Sequence, residues 1–227
     1  MKGLIIKDFM AVRTALPTLS VMLLLPLLIV IPMAAISGGL AVQTLCVCVT
    51  ALLCIINSVV GMSFGSYDEQ CGWNTFGCAL PVSRTQTVLA RYGAGLLLLG
   101  ASLGILLITQ MVCFLFTGEQ IVWYYPAVLI ILTLLTEGVM TPVIYLFGAQ
   151  IGGYIFAALF MLAGIGGTAL GRSRTMEMSD EAFDAMIENG LQTHLFAKAA
   201  ALTVLGSMIL YVLSVPLSIH IFKKKEF

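Results

Sequence analysis

The chain has 227 residues, of which 60% are hydrophobic and only 10% charged, and its formal net charge at pH 7 is zero. Soluble domains have roughly a quarter of their residues charged, so this composition excludes a soluble protein and indicates an integral membrane protein. No basic patch suits a nucleic-acid partner.

The amino-terminal segment, residues 1–13, predicts a helix that lies in the membrane surface. Its apolar side chains, among them Ile5 and Phe9, share one helical face, whereas Lys7 and Asp8 lie on another. The apolar run that follows is too long for the hydrophobic region of a signal peptide, so we do not expect cleavage.

Two uncharged stretches are too long for single membrane helices. Residues 14–67 contain no charged side chain, and one helix of that length would exceed twice the thickness of a bilayer. They should therefore cross twice, with a hinge at residues 37–39. The same argument applies to residues 120–171, where Glu137 is the only charge. The sequence predicts an all-α membrane protein with a single transmembrane domain and about six spans, near 16–37, 40–63, 91–116, 122–147, 151–171 and 199–222.

The positions of the Lys and Arg residues predict the orientation. Arg172, Arg174 and Lys198 lie on one side of this topology, and the other eight of the eleven basic residues lie on the opposite side. The positive-inside rule then places both termini in the cytoplasm, as expected for a multi-pass protein of the cell membrane. The acidic segment 172–198 is then extracellular, and we expect a short helix there that rests on the membrane or roofs a cavity.

The polar break between the second and third spans, residues 66–84, predicts a short cytoplasmic helix. Ser66 and Glu69 stand in capping-box register, and Asp68 and Glu69 complement the positive end of a helix that begins there. The next helix should begin at Pro81, because proline is tolerated in a first helical turn.

The predicted short helix carries an apolar stripe. Trp73, Phe76, Gly77 and Leu80 fall at helical spacing, which suits a groove on a partner protein as well as the bilayer surface. From this pattern alone, docking to a partner and a plain interfacial anchor fit equally well.

A particular order of residues in and after this break is also informative. It comprises Tyr67-Asp68-Glu69, Trp73, Leu80-Pro81-Val82-Ser83-Arg84, Val88 and Arg91-Tyr92. This order resembles the membrane subunits of type-2 ABC exporters, in particular the small six-span permeases related to the phenol-soluble-modulin exporter of Gram-positive bacteria. The resemblance covers most of the chain, including the amino-terminal surface helix, Pro142 and the basic tail.

The resemblance implies that residues 66–84 form a coupling helix, which fits a cleft on a separate ABC ATP-binding subunit. With the apolar stripe and Pro81, the expected contact residues are Tyr67, Asp68, Glu69, Trp73, Phe76, Leu80, Pro81 and Arg84. ATP and Mg²⁺ would bind to that partner, since this chain has no phosphate-binding G-x-x-x-x-G-K-[ST] loop and no cofactor of its own is expected. A second permease chain, identical or related, would complete the pathway. After Phe147-Gly148 the chain departs from the family pattern, so the resemblance gives no support for a second cytoplasmic contact there.

Other candidate sites are weak, and we expect no catalytic or metal site in this chain. The G-x-S-x-G match around Ser63 lacks a strand–turn–helix context, and Cys71 and Cys78 lack a second pair of ligands. Glu137 is an acid deep in a predicted span, where an unpaired carboxylate costs a few kcal/mol. Two interpretations remain open for it: it lines a transport pathway together with Pro142 or contacts a cationic substrate, or it is a protonated or hydrogen-bonded packing residue.

The sequence therefore predicts the permease subunit of an ATP-driven exporter for an amphipathic or lipophilic solute, with peptides as the expectation from the family. A secondary transporter is the first alternative, although we find no repeated halves. An intramembrane enzyme would need clustered reactive side chains at membrane depth. A non-transporting assembly or immunity factor that holds an ATPase in the same way cannot be separated from a permease by sequence.

Overall fold

The structure is a computed structural model that describes residues 2–13, 39–73, 83–117, 123–159, 161–162 and 195–224. The regular structure in these ranges is helical: α1 (Lys2–Val12), α2 (Gly39–Gln70), α3 (Arg84–Thr117), α4 (Tyr124–Phe147), α5 (Ala149–Leu159) and α6 (Leu195–Lys224). Four of these helices, α2, α3, α4 and α6, are long and apolar enough to cross a membrane. The predicted all-α membrane fold is confirmed.

Several predicted features lie outside the described residues. They are the first span near 16–37, the extracellular segment up to residue 194, and Phe76, Leu80 and Pro81 of the polar break. Of the fifth predicted span, the structure describes α5 and residues 161–162.

Side-chain contacts show that α2 and α4 are parallel and that α3 is antiparallel to both. Asn57 of α2 contacts Thr133 of α4 at mid-helix, and the same asparagine accepts a hydrogen bond from Ser102 of α3. Toward the carboxyl end of α2, Asp68 meets Arg91, which lies near the start of α3.

Helix α6 runs parallel to α4 and packs closely against it. Gly138 faces the backbone of Tyr211, where an added Cβ would lie 3.4 Å from the Tyr211 Cα. One end of this contact is marked by the rings of Tyr145 and Phe222, whose centroids are 5.0 Å apart. A small residue on α4 thus allows close approach of the two helices.

The helix directions bring most of the described basic side chains to one end of the bundle, which we call the basic end, whereas Lys198 at the start of α6 lies at the other end. It contains Lys7 of α1, Arg84 and Arg91 of α3, and Lys223 of α6. The aromatic residues at the start of α4, among them Trp123, lie at the opposite end. Under the positive-inside rule, the basic end would face the cytoplasm.

A buried amide connects three helices in the middle of the bundle. Asn57 is fully buried; its Nδ2 donates to Thr133 Oγ1 at 3.3 Å, and its Oδ1 accepts from Ser102 Oγ at 2.8 Å. Because an unpaired amide is costly away from water, these hydrogen bonds define the register of α2, α3 and α4.

Pro142 lies inside α4 without ending the helix. Proline has no backbone N–H, so the carbonyl of Gly138, four residues earlier, lacks its helical donor. Ser214 Oγ of α6 donates to that carbonyl at 2.6 Å. A side chain from the neighbouring helix thus satisfies the backbone group that the proline leaves unpaired.

The predicted helix start at Ser66 is wrong. Helix α2 continues without a break to Gln70, and Ser66 Oγ donates to the carbonyl of Met62 at 3.3 Å instead of capping a new helix. The end of α2 is set by Gly72, whose positive φ of 62° is a left-handed conformation that glycine adopts readily.

A capping box is present at the start of α3 instead. Ser83 Oγ accepts from the backbone N–H of Gln86 at 3.3 Å, and the backbone N–H of Ser83 donates to Gln86 Oε1 at 3.2 Å. The S-x-x-Q pattern was visible in the sequence, and it marks the beginning of α3 at Arg84.

Candidate functional site

Four charged side chains from three helices form a buried ion cluster at the basic end. Lys7 Nζ lies 2.6 Å from Asp68 Oδ1 and 3.1 Å from Asp8 Oδ1. Arg91 donates to Asp68 Oδ2, and its Nε lies 3.8 Å from Asp8 Oδ2. Asp8 and Asp68 are 3% and 5% exposed. With two cations and two carboxylates, the ion cluster is neutral.

Helix α1 presents Lys7 and Asp8 to the bundle together with Ile5, which packs against the apolar cluster around Phe64, and it directs other apolar residues away. Asp8 is buried, whereas Ile6 and Met10 are 52% and 66% exposed. This arrangement suits a helix that lies at the membrane surface and offers its apolar side to lipid. The phenyl ring of Phe64 lies against the cluster, with its centroid 5.4 Å from Arg91 Cζ. Because this neighbour is apolar, little water is available to replace a lost ion pair.

Trp73 is connected to this cluster through Lys7. The Lys7 ammonium lies 4.4 Å from the centroid of the Trp73 ring, a cation–π distance. One lysine of α1 therefore contacts both Asp68 of α2 and Trp73, which lies just beyond the end of that helix at Gln70.

Glu69 links the end of α2 to the start of α5. Its Oε1 accepts the backbone N–H of Ala149 at 2.8 Å, which satisfies an otherwise unpaired donor of the first turn of α5. The preceding residue, Gly148, has φ 91°, and a Cβ there would lie 3.0 Å from Glu69 Oε1. Glycine thus permits both the turn and the close approach of the carboxylate.

Arg84 performs a similar role at the other end of the polar break. Its Nη1 donates to the carbonyl oxygens of Phe222 and Lys223, at 3.3 and 2.9 Å. These carbonyls belong to the last turn of α6, where a cation is favoured by unpaired acceptors and by the helix dipole.

A family model described as ABC-2 family transporter protein matches residues 3–223. The chain belongs to this family. Searches of curated proteins and of solved structures find no match to it. The match covers nearly the whole chain, so the protein is a multi-pass ABC-2 permease, as the sequence resemblance predicted. Its relation to the phenol-soluble-modulin exporter branch stays a prediction.

The structure describes five of the eight residues that were predicted to contact an ATPase. Asp68, Trp73 and Arg84 contact other parts of the permease, and Glu69 caps α5. Tyr67 is 42% exposed, and its hydroxyl shares a hydrogen bond with the exposed thiol of Cys71. The contact of these residues with an ATPase stays a prediction, and Tyr67 is the one directed away from the bundle.

Sequence reasoning missed the roles of Lys7, Asp8 and Arg91. The amphipathic pattern suggested that Lys7 and Asp8 face water, because opposite charges on a surface helix usually do. The sequence did contain a signal for these roles. All three charged residues adjoin otherwise apolar helices, and charged side chains need partners when they are buried. Which partners they find depends on the packing of α1 against α2 and α3.

Glu137 and Pro142 both lie on α4, but they face different neighbours. Pro142 faces the α6 contact described above, whereas Glu137 lies beside a small cavity between α2, α3 and α4. Their role in a transport pathway stays a prediction. Ser63 of the G-x-S-x-G match lies within α2, and its Oγ donates to the Val59 carbonyl at 2.8 Å.

Proposed function

We propose that this permease is the membrane subunit of an ATP-driven exporter and that a separate ATP-binding subunit drives it through residues 66–84. The observation that carries the proposal is that both ends of this segment are attached to different helices of the bundle. Asp68 and Trp73 meet Lys7 of α1, Glu69 caps α5, and Arg84 caps α6.

These attachments suit a segment that receives force. A push on the segment would reach α1 and α3 through the buried ion cluster, and it would reach α5 and α6 through hydrogen bonds to their ends. Since packed helices move as units, a displacement of this segment would shift several helices together. A plain membrane anchor has no need of such connections.

The energy source follows from the family. ABC-2 permeases imply an ABC ATP-binding partner, and the chain has no phosphate-binding loop of its own, so ATP and Mg²⁺ would be held by that partner. Two permease chains would form the pathway. The resemblance to exporters supports outward movement of an amphipathic or lipophilic solute.

Co-purification from the native membrane tests the docking surface. We expect a stoichiometric ATP-binding subunit with the wild-type permease and at least a tenfold loss of it with Tyr67→Ala, since hot-spot aromatic side chains contribute about 2 kcal/mol or more to binding. Tyr124→Ala is the matched control, because Tyr124 is 37% exposed at the opposite end of the bundle. That variant should retain the ATPase.

Cross-linking from Cys71 adds a test of location. In a Cys78→Ser background, a reagent that joins a maleimide to a photoreactive group should link the exposed Cys71 to the ATPase, and the further change Cys71→Ser should abolish that product. Purification without any ATPase, or equal recovery with both tyrosine variants, would contradict docking at this surface. Recovery of an ATPase whose hydrolysis is not coupled to movement of any solute would instead favour an assembly factor.

A further inference from the structure

Glu137 occupies a recess made by glycines of two other helices. Its carboxylate lies so close to Gly95 of α3 that a Cβ at that position would overlap all three carboxylate atoms. On the other side, a Cβ at Gly61 of α2 would lie 4.0 Å from Glu137 Oε1. The acid is therefore turned into the centre of the bundle and away from lipid.

The carboxylate of Glu137 has no hydrogen-bond or ion-pair partner among the residues that the structure describes. The titratable groups that face it are Arg91 and Tyr92 of α3 and Tyr211 of α6. None of the α2 residues that line this cavity is titratable. Each of these groups is engaged elsewhere. Arg91 pairs with the carboxylates of the ion cluster, and the Tyr211 hydroxyl donates to the Tyr92 carbonyl at 2.8 Å.

The hydroxyl of Tyr92 is also engaged, because it shares hydrogen bonds with Ser214 and Ser218 of α6. The ion cluster, moreover, is neutral without Glu137. An ionised Glu137 would consequently be an uncompensated charge at membrane depth, which is costly enough to require a counter-charge.

A cavity of about 30 Å³ lies beside the carboxylate, and its hydroxyl groups offer lone pairs rather than protons. Ser58 Oγ donates to Cys54 O at 2.8 Å, Thr136 Oγ1 to Leu132 O at 2.9 Å, and Thr141 Oγ1 to the backbone oxygen of Glu137 at 2.8 Å. The protons of these three hydroxyls are thus directed at the helices that carry them, and the fourth hydroxyl of the lining, that of Tyr92, pairs with the serines of α6. The volume exceeds the roughly 10–15 Å³ that one water-sized occupant needs.

We propose that this cavity is a binding site for a small cation, with Glu137 as the ligand that carries the negative charge. The carboxylate and the hydroxyl oxygens of Ser58, Thr136 and Thr141 in the same lining are hard oxygen donors that suit an alkali-metal ion. A bound proton meets the same requirement for a counter-charge. The site lies in the core of α2, α3 and α4, so occupancy would stabilise their packing. It is independent of the ATPase docking proposed above.

Thermal unfolding in lipid nanodiscs distinguishes the two cations. We expect the unfolding midpoint of the wild-type protein to rise and saturate with added NaCl, relative to the chloride of a large organic cation at equal ionic strength. Glu137→Gln should remove that dependence. Glu69→Gln is the control, because it changes an exposed carboxylate to an amide.

Infrared spectroscopy tests whether the bound cation is a proton. If the proton is the occupant, the wild-type protein should show a carboxylic-acid carbonyl band that Glu137→Gln removes, and the midpoint should not depend on Na⁺. Gly95→Ala should weaken the Na⁺ dependence or shift the carbonyl band while keeping the acid, because its methyl group displaces the carboxylate. A wild-type protein with neither Na⁺ dependence nor a protonated band assigned to Glu137 would overturn the proposal.

Discussion

Replacing Asp68 by alanine is expected to destabilise the folded permease by about 3–5 kcal/mol, the usual cost of removing one partner from a buried ion pair. The variant leaves Lys7 and Arg91 with Asp8 alone, so the buried ion cluster gains a net positive charge. The side chain that is lost is 7% exposed, so little water can replace it. The effect is measured as the midpoint of thermal unfolding in mild detergent, with the loss of the monodisperse species as the readout.

Two comparisons identify the cause of that loss. Lys7→Ala combined with Asp68→Ala leaves Arg91 and Asp8 as a neutral pair, so the double variant should be more stable than Asp68→Ala alone. Glu69→Ala removes the adjacent acid, which is exposed and makes one hydrogen bond, and it should cost no more than about 1 kcal/mol. Equal losses for the two single variants would show that burial of the cluster does not determine stability.

The buried ion cluster also distinguishes two possible roles for Asp68 in the polar break. An ATPase could bind Asp68 directly, or Asp68 could position the segment that binds. Because both Lys7 and Arg91 already contact this carboxylate, the structure favours the second role. The exposed Tyr67 then offers the cleaner test of docking, since its loss should leave the unfolding midpoint nearly unchanged.

The long helices could be predicted from the sequence because each is an apolar stretch bounded by charged or glycine-containing breaks. What length and hydropathy could not supply was the pairing across those breaks. Lys7 and Asp68 are 61 residues apart in the chain, and Arg84 and Lys223 are 139 residues apart. Local patterns carry no information about contacts of that separation, which arise only when the helices pack.

The two capping-box patterns illustrate the same limit at short range. Ser66 and Glu69 match the pattern as well as Ser83 and Gln86 do, yet only the second pair forms the reciprocal hydrogen bonds. In α2 the helix continues through the first pair because no residue there interrupts it, and Glu69 is used by α5 instead. The sequence also could not show that Gly61 and Gly95 lie beside Glu137, since these glycines belong to α2 and α3 and the glutamate belongs to α4.

Ser214→Ala is expected to destabilise the contact between α4 and α6 by about 1–2 kcal/mol, in the range for losing the partner of a buried backbone group in a membrane protein. Its hydroxyl is the donor to the Gly138 carbonyl, which Pro142 leaves without a helical N–H. In a Pro142→Ala background the new backbone N–H can donate to that carbonyl. The cost of Ser214→Ala should then fall by at least half.

Ser218→Ala is the matched control for this double-mutant cycle, because Ser214 and Ser218 both contact the Tyr92 hydroxyl but only Ser214 reaches Gly138. Its cost should be the same with proline or alanine at position 142. If Ser214→Ala costs as much in the alanine background as in the proline background, its contribution comes from Tyr92 and not from the orphaned carbonyl. A coupling confined to Ser214 would instead show that α6 completes the backbone hydrogen bonding of α4, so a movement of α6 relative to α4 must break that bond.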